Sequence, residues 1–297
     1  MIAGTFLWAD GREGLAAPLD PESLAAAHPS WARDVAELGP WEPVEQGGLK
    51  LWRSSRPADQ AVLVAGECTT TMDAVWTLLQ DGRFRDWDSL MAVGQTKGRG
   101  QLRRQWVSPP GNVYASVVLP QPGPGWSELL PLLAGWCFSR ALEGLGFPVR
   151  LKWPNDFLLY DRKVAGMLLE ERGGRLVLGV GLNLASVPDP GSLRQGCAVP
   201  AGTLCADGPL PGPLSLWTAL VNAVRKGYTD SSDVVDPSHF PSLVTERLAW
   251  MGRRVLVVDG EESAYPARIM GLSDRGGLLL ERDGRTEVLF SGSVAPL

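Results

Sequence analysis

Charged and amide side chains cluster in the segment KWPNDFLLYDRKVAG, residues 152–166. This short stretch holds two lysines, two aspartates and one asparagine, whereas the whole 297-residue chain has only two histidines. Histidine and thiolate side chains are the usual ligands of transition metals. The mixture of lysine, aspartate and asparagine therefore suits an anionic ligand that carries phosphate better than it suits such a metal.

The backbone around these side chains is expected to be extended. Pro154 disfavours helix at Trp153 and favours extended backbone there. One strand should therefore end at Trp153, and the following turn should carry residues 155–156. Residues 160–163 are predicted to form a second turn, ahead of an apolar strand from 164 to 169.

A second candidate element is the glycine- and arginine-rich loop GRGQLRRQW, residues 98–106. Glycines permit positive φ and close approach of the backbone to a ligand. Arg99, Arg103 and Arg104 supply the positive charge that phosphate requires. Taken alone, the loop would be read as a solvated hairpin whose arginines only keep it soluble.

Four segments of the chain, in the same order, resemble those of biotin protein ligases. They are TTMD (70–73), GQTKGRGQLRRQWVSPPGNVYAS (94–116), KWPND followed by DRKVAGMLLE (152–170), and GVGLN (179–183). Each is weak alone, but together they cover roughly residues 60–185, and a chance match is improbable. The chain is thereby similar to biotin protein ligases of the biotin/lipoate ligase superfamily.

The resemblance implies an ATP-dependent ligase. It would activate biotin as biotinyl-5'-AMP and transfer the biotinyl group to a lysine of a biotin carboxyl carrier domain in a biotin-dependent carboxylase. ATP and biotin would be substrates and Mg²⁺ an activator, with no tightly bound metal. Both steps build negative charge on phosphate oxygens, so positioned cations and backbone N–H donors should dominate catalysis.

The same resemblance implies three catalytic residues, Lys163, Arg99 and Asp156. Lys163 matches the lysine that bridges the biotin carboxylate and the α-phosphate. Asp156 would help place Mg²⁺ or receive a proton from the incoming amine, and Asn155 would read the adenine edge. For Asn155 and Asp156, ordinary turn chemistry is the alternative interpretation.

Two sets of binding residues also follow from the resemblance. The set expected to bind biotin is Thr70, Thr71, Gln95, Gly98, Arg99, Gly166 and Gly181. The set expected to bind ATP or the adenylate is Arg99, Arg103, Arg104, Trp106, Lys152, Asn155, Asp156, Lys163 and Asn183. Trp106 is expected to pack on its loop once ligand orders it, with an ordinary core tryptophan as the alternative. The long irregular connection of residues 186–204 would act as a lid over the adenylate.

The glycine-rich loop departs from the family pattern, which commonly reads Gly-Arg-Gly-Arg-x-Gly-Arg-x-Trp. Here Gln101 replaces the second arginine and Arg103 replaces the third glycine. Losing a charge-assisted hydrogen bond to phosphate costs about 1.5–3 kcal/mol, roughly ten- to hundredfold in affinity. Unless Arg103 compensates, reactive adenylate should escape more readily than from a typical member.

Two other functions remain open. One is a lipoate or octanoate ligase or transferase of the same superfamily, against which the KWPND segment argues. The other is a non-catalytic paralogue that binds biotin or an acyl-adenylate, against which the retained Lys163 and Asp156 argue.

Bulk properties exclude several classes of protein. A net charge of −5 argues against a general nucleic-acid binder, and no DNA partner is expected. Cys68, Cys137, Cys197 and Cys205 form neither a CxxC pair nor a zinc pattern, which favours a reduced, cytoplasmic chain. No signal peptide is evident, and the longest apolar stretch, around residues 129–138, is too short to cross a bilayer. A homodimer is possible.

The predicted fold class is α+β, with a mixed, largely antiparallel sheet backed by helices and a small C-terminal SH3-like β-barrel. The expected domains are an N-terminal extension of unknown role (1–58), a catalytic domain (59–250) and the SH3-like domain (251–297). The extension lacks the regular helices and basic face of a winged helix, so the resemblance points to a form without the DNA-binding domain. Helices are predicted at 71–79, entered through threonine caps, at 127–145 and at 214–228. Strands are predicted at 61–66, 89–93, 113–119 and 176–184.

Overall fold

The computed structural model describes residues 1–101, 104–189, 199–204, 210–259 and 264–297. The chain divides into two compact units, each assembled from three segments. The first unit comprises Met1–Gln121, Ala165–Pro188 and Thr203–Ala223, and the second comprises Pro122–Val164, Asp189–Gly202 and Val224–Leu297.

A large mixed sheet contains the segments of interest. Its strands are β1 (Gly4–Trp8), β2 (Trp41–Gln46), β3 (Leu49–Ser54), β4 (Ala61–Cys68), β5 (Ser89–Gln95), β6 (Val113–Leu119), β7 (Arg150–Lys152), β8 (Asp156–Leu159), β9 (Arg162–Arg172) and β10 (Arg175–Leu182). Their order is β2-β3-β1-β4-β5-β6-β10-β9-β8-β7. Strand β4 pairs in parallel with β1 and β5. The pairs β1–β3, β2–β3, β5–β6, β6–β10, β9–β10 and β7–β8 are antiparallel, which confirms the predicted mixed, largely antiparallel sheet.

Six α-helices lie within the described residues. They are α1 (Pro21–Ala27), α2 (Pro29–Leu38), α3 (Thr71–Gln80), α4 (Leu130–Gly144), α5 (Pro213–Val234) and α6 (Phe240–Thr245). The three predicted longer helices are confirmed, although the first turn of the second is a 3-10 helix, Ser127–Leu129. Helix α2 was not predicted, because it is only ten residues long and has proline and glycine at its ends, a pattern typical of a loop. Its apolar side buries Trp31.

Residues 1–58 contribute three strands to the large sheet. Strand β1 pairs with β4 through the register Gly4↔Ala61 to Leu7↔Val64. Phe6 and Trp8 are buried in the same core cluster as Leu63. Strand β1 was not predicted, since its five buried residues show none of the alternation that marks a half-exposed strand.

Helix α3 begins with the predicted threonine cap. The Thr70 side chain accepts a hydrogen bond from the Asp73 backbone N–H at 3.0 Å. The buried side of the helix, which includes Met72 and Val75, packs in the core cluster of the first unit. This packing fixes the first turn of α3, and therefore the position of Thr71.

A second sheet lies at the C-terminal end of the chain. Its strands are β11 (Arg254–Val258), β12 (Tyr265–Leu272), β13 (Leu278–Arg282), β14 (Arg285–Leu289) and β15 (Ser293–Pro296). Their order is β14-β13-β12-β11-β15, with antiparallel pairing throughout. The predicted small antiparallel sheet is confirmed, while its closure into an SH3-like barrel stays a prediction.

Cys68 and Cys137 are free, buried thiols. Burial raises the pKa of each thiol to about 12, so both are protonated at neutral pH. Cys197 and Cys205 lie outside the described residues.

Among the helices of the described part of the chain, none combines the length and apolar character needed to span a bilayer.

Candidate functional site

A buried carboxylate lies between two lysines in the second unit. Asp156 Oδ2 accepts a hydrogen bond from Lys152 Nζ at 3.0 Å, and Asp156 Oδ1 lies 2.6 Å from Lys163 Nζ. Lys152 and Asp156 are buried, whereas the Lys163 side chain is 31% exposed. The structure thus joins three predicted site residues, and leaves one ammonium group within reach of solvent.

The strands explain this grouping and correct two predictions. Lys152 and Asp156 are registered partners in the β7–β8 hairpin, so the turn between them contains only residues 153–155. Asp156 was predicted on a turn but begins β8, because it pairs with Lys152. Lys163 was also predicted on a turn but is the second residue of β9, since the preceding turn is only two residues long. Asn155 does lie in the predicted turn.

The electrostatics of the cluster keep Asp156 ionised. Burial raises the pKa of this carboxyl, but the charges of Lys152 and Lys163 and their hydrogen bonds outweigh burial and hold the pKa below its usual value. The carboxylate therefore balances the charge of buried Lys152 and holds Lys163 by one oxygen.

The backbone of Lys163 is also held by hydrogen bonds to residues within 199–204. Its N–H donates to the Pro200 carbonyl at 2.8 Å, and its carbonyl accepts from the Gly202 N–H at 2.9 Å. Only the side chain of Lys163 is thus left to move. These contacts come from the end of the predicted lid, whose residues 190–198 lie outside the described part of the chain.

A polar cluster in the first unit brings together residues predicted to bind biotin. The Thr71 backbone N–H donates to Gln95 Oε1 at 3.0 Å, and Thr71 Oγ1 lies 2.8 Å from Ser116 Oγ. Gln95 Nε2 donates to Ser108 Oγ at 3.2 Å. Sequence reasoning missed Ser108 and Ser116, although both fall within the recognised block 94–116. Thr70 caps the same helix and is buried.

The glycine-rich loop closes on itself through backbone hydrogen bonds. The Trp106 N–H donates to the Gly98 carbonyl, and the Gly100 N–H donates to the Arg104 carbonyl, each at 2.8 Å. The hairpin form considered from sequence is thus present. Arg104 is exposed, and Arg103 lies outside the described residues.

The Trp106 indole packs against Gly181 of strand β10. A Cβ added at Gly181 would lie 2.3–2.6 Å from three atoms of that ring. Gly181 is the registered partner of Gly166 on β9. The packing of Trp106 on its loop once ligand orders it stays a prediction; in the structure the ring lies on the glycine strand, where the missing Cβ leaves room for it.

Replacing Gly181 with alanine should therefore displace the Trp106 ring. We expect the free energy of unfolding to fall by about 1–3 kcal/mol, the usual range for overpacking, with a shift in tryptophan fluorescence. The control is Gly227→Ala, since no atom lies within 4 Å of a Cβ built at that helical position. Equal melting temperatures for the two variants would contradict the prediction.

Arg99 is held by two carboxylates within the first unit. Its Nη2 donates to Asp73 Oδ1 at 2.8 Å and lies 3.4 Å from Glu170 Oε1. Glu170 also accepts from the Trp76 indole N–H at 3.0 Å. Sequence reasoning missed these acidic partners, although Asp73 and Glu170 lie within recognised segments. An anionic ligand would compete with them for Arg99.

Asn183 follows β10 and is buried. Its backbone carbonyl accepts a hydrogen bond from the Leu204 N–H at 2.8 Å. This contact ties the GVGLN segment to the last residue of the connection predicted to form a lid.

The sequence is similar to that of a known protein family. Residues 67–185 match the Biotin/lipoate A/B protein ligase family. This range contains every predicted site residue from Thr70 to Asn183.

Individual relatives extend the match beyond that range. Over 214 residues, the chain is 29% identical to the biotin–[acetyl-CoA-carboxylase] ligase of Paracoccus denitrificans, covering 69% of this chain and 88% of that one. Over 223 residues, it is 40% identical to the bifunctional ligase/repressor BirA of Salmonella typhimurium, covering 72% of this chain and 68% of that one.

A solved structure shares the architecture. The biotin protein ligase from Aquifex aeolicus in complex with biotin and ATP superposes with a TM-score of 0.62 and 25% sequence identity, covering 79% of this chain and 97% of that one. With the sequence matches, this shows that the chain belongs to the biotin protein ligases of the biotin/lipoate A/B protein ligase family.

Proposed function

We propose that the protein activates biotin with ATP, giving biotinyl-5'-AMP and pyrophosphate, and then transfers the biotinyl group to a lysine of a biotin carboxyl carrier domain. The observation that carries the proposal is the cluster of Lys152, Asp156 and Lys163, in which one lysine remains accessible. Support comes from the relatives, which include a biotin–[acetyl-CoA-carboxylase] ligase and a ligase complex with biotin and ATP.

In the first step, a biotin carboxylate oxygen attacks the α-phosphorus of ATP, and the bond from that phosphorus to the bridging oxygen of pyrophosphate breaks. Negative charge develops on the α-phosphate oxygens as this occurs. Lys163 would bring its ammonium group to those oxygens, because its backbone is fixed and its side chain is partly exposed. A flexible lysine suits charge that moves during the reaction.

In the second step, the acceptor amine attacks the biotinyl carbonyl, loses its proton to water and expels AMP. A carboxylate with a lowered pKa is a weak base, and both oxygens of Asp156 are engaged by lysines. We therefore assign Asp156 the task of orienting Lys163 and neutralising Lys152, in place of the proton-accepting role expected from sequence.

The contacts of Asp156 with the two lysines also determine whether Mg²⁺ could bind at this carboxylate. A cation at Asp156 would have to displace an ammonium group, and the described residues hold no cluster of three or more His, Cys, Asp or Glu suited to a metal. These residues do not fit a resident Mg²⁺. The ion is better assigned to the substrate, bound by the phosphates of ATP and by water, as is usual for Mg²⁺.

The biotin end would use the polar cluster of the first unit. A cyclic urea presents one carbonyl acceptor and two N–H donors, and Thr71, Gln95, Ser108 and Ser116 offer both donors and acceptors. Gly166 and Gly181 are neighbours across β9 and β10. The Trp106 ring lies against Gly181, so a ligand at this pair of glycines would have to pack beside that ring or displace it.

For the adenylate, Arg99 would exchange its contacts with Asp73 and Glu170 for contacts with phosphate or carboxylate oxygens. Arg103, Arg104, Asn155 and Asn183 remain proposed adenylate-binding residues.

The deciding experiment is exchange of labelled pyrophosphate into ATP with biotin, lipoate or octanoate as the acid. We expect biotin to be the only one of the three acids that supports exchange. We also expect labelled biotin to appear on a purified carrier domain. Exchange with lipoate or octanoate instead would favour the acyl-ligase alternative. Biotin binding without exchange would favour a non-catalytic binding protein.

The altered loop gives a separate prediction about adenylate retention. Gln101→Arg restores the charge of the usual loop, and we expect it to slow the release of free biotinyl-5'-AMP by about ten- to hundredfold. Release is measured by trapping the adenylate in solution during single turnover. Gln105→Arg, in the same loop, is the control for added charge, and equal release by the wild type and Gln101→Arg would refute the hypothesis.

A further inference from the structure

The turn that precedes Lys163 adopts an unusual backbone conformation. Tyr160 and Asp161 alone join β8 to β9, and their φ angles are +51° and +58°. Positive φ at both positions marks a type I′ hairpin turn, which normally takes asparagine, aspartate or glycine. A bulky tyrosine is disfavoured there, so this turn requires support from outside the hairpin.

Support comes from the segment that leads into the C-terminal sheet. The buried Trp250 indole N–H donates to Asp161 Oδ1 at 2.7 Å. Arg253 Nη1 also lies 3.5 Å from Asp161 Oδ2, but both side chains are more than half exposed, so this ion pair adds little to the support. Trp250 itself has a φ of +60°. Left-handed conformations at residues other than glycine are costly and persist where surrounding contacts require them.

The same segment is bonded to the strand that carries the other lysine. The Leu151 N–H donates to the Arg247 carbonyl, and the Ala249 N–H donates to the Leu151 carbonyl, each at 2.9 Å. Leu151 immediately precedes Lys152 on β7. Residues 247–250 therefore contact β7 by backbone and the β8–β9 turn by the Trp250 side chain.

From this arrangement we infer that Asp161 and Trp250 are positioning residues for Lys163. Their hydrogen bond fixes the turn two residues before the lysine, and so sets where its side chain starts relative to Asp156. The inference rests on the proposed function. It adds that the adenylation step depends on Trp250, a residue distant in sequence from Lys163. A purely structural role would instead lower stability without changing the activity of the folded protein.

Steady-state pyrophosphate exchange by purified full-length variants tests this inference. Trp250→Phe deletes the N–H donor and keeps an aromatic ring, and Asp161→Ala deletes the acceptor. We expect each to lower kcat for exchange about tenfold, because small displacements of catalytic groups are costly, with KM for biotin within about twofold. Asp161→Asn retains Oδ1 as an acceptor and should keep kcat within about twofold of wild type. The control Arg253→Gln removes only an exposed ion pair and should do the same.

Thermal unfolding of each variant separates loss of fold from loss of position. If Asp161→Ala does not fold, Trp250→Phe decides the question alone. Wild-type kcat in folded Trp250→Phe, or a loss of kcat in Asp161→Asn as large as that in Asp161→Ala, would overturn the inference. Absence of exchange by the wild type would instead contradict the proposed function, and with it the inference.

Discussion

Replacing Lys163 with alanine should lower biotin-dependent pyrophosphate exchange by about 10²–10³-fold, the effect typical of removing one group that stabilises transition-state charge. The ammonium of Lys163 is the accessible member of its cluster, with Nζ 2.6 Å from Asp156. The loss should appear in kcat, since the lysine follows charge that develops only during phosphoryl transfer.

The fold should survive this change. Asp156 keeps its hydrogen bond to Lys152, so no buried carboxylate is left without a partner. Lys226→Ala, at an exposed position on α5, is the control for loss of one positive charge. If the Lys163→Ala variant catalyses exchange as fast as the Lys226→Ala variant, Lys163 has no role in the mechanism.

Much of the large sheet was predictable from local patterns. Val113–Leu119 was predicted at its observed bounds, and Thr70 was recognised as a helix cap, because apolar runs and capping residues act over a few positions. Strand β1 was missed because it pairs in parallel with β4, more than 50 positions away and invisible to a local pattern. Strands β2 and β3 pair with each other in a hairpin, so the Gly47-Gly48 turn between them was a local signal that went unused.

The candidate site, like the sheet, was predictable only in part from the sequence. Spacing and family resemblance identified Lys152, Asp156 and Lys163, but placed two of them on turns. Their true positions follow from hairpin register, which is a property of the paired strands. The partners of Arg99 could not be predicted either, since Asp73 and Glu170 lie 26 and 71 positions away in the chain.

Replacing Asp156 with asparagine should destabilise the protein by about 3–5 kcal/mol, the usual effect of breaking a buried ion pair. The change leaves the ammonium of Lys152, which is only 7% exposed, without a negative partner. Chemical denaturation at neutral pH measures the loss. The control is Asp86→Asn, which removes an exposed pair with Arg175 and should change stability by less than about 1 kcal/mol.

The pH dependence of the unfolding free energy provides a stricter test of the cluster of Lys152, Asp156 and Lys163. The pKa of Asp156 is lower in the folded protein than the ordinary value of about 3.9 expected in the unfolded chain. Stabilisation by the ionised carboxylate is therefore fully present above about pH 4 and is lost as the pH falls through the lowered folded pKa. The difference in unfolding free energy between wild type and Asp156→Asn should be constant near neutral pH and shrink below about pH 4. A difference that grows on acidification would mean that Asp156 is protonated in the native state, and would exclude it as the anion that holds Lys163.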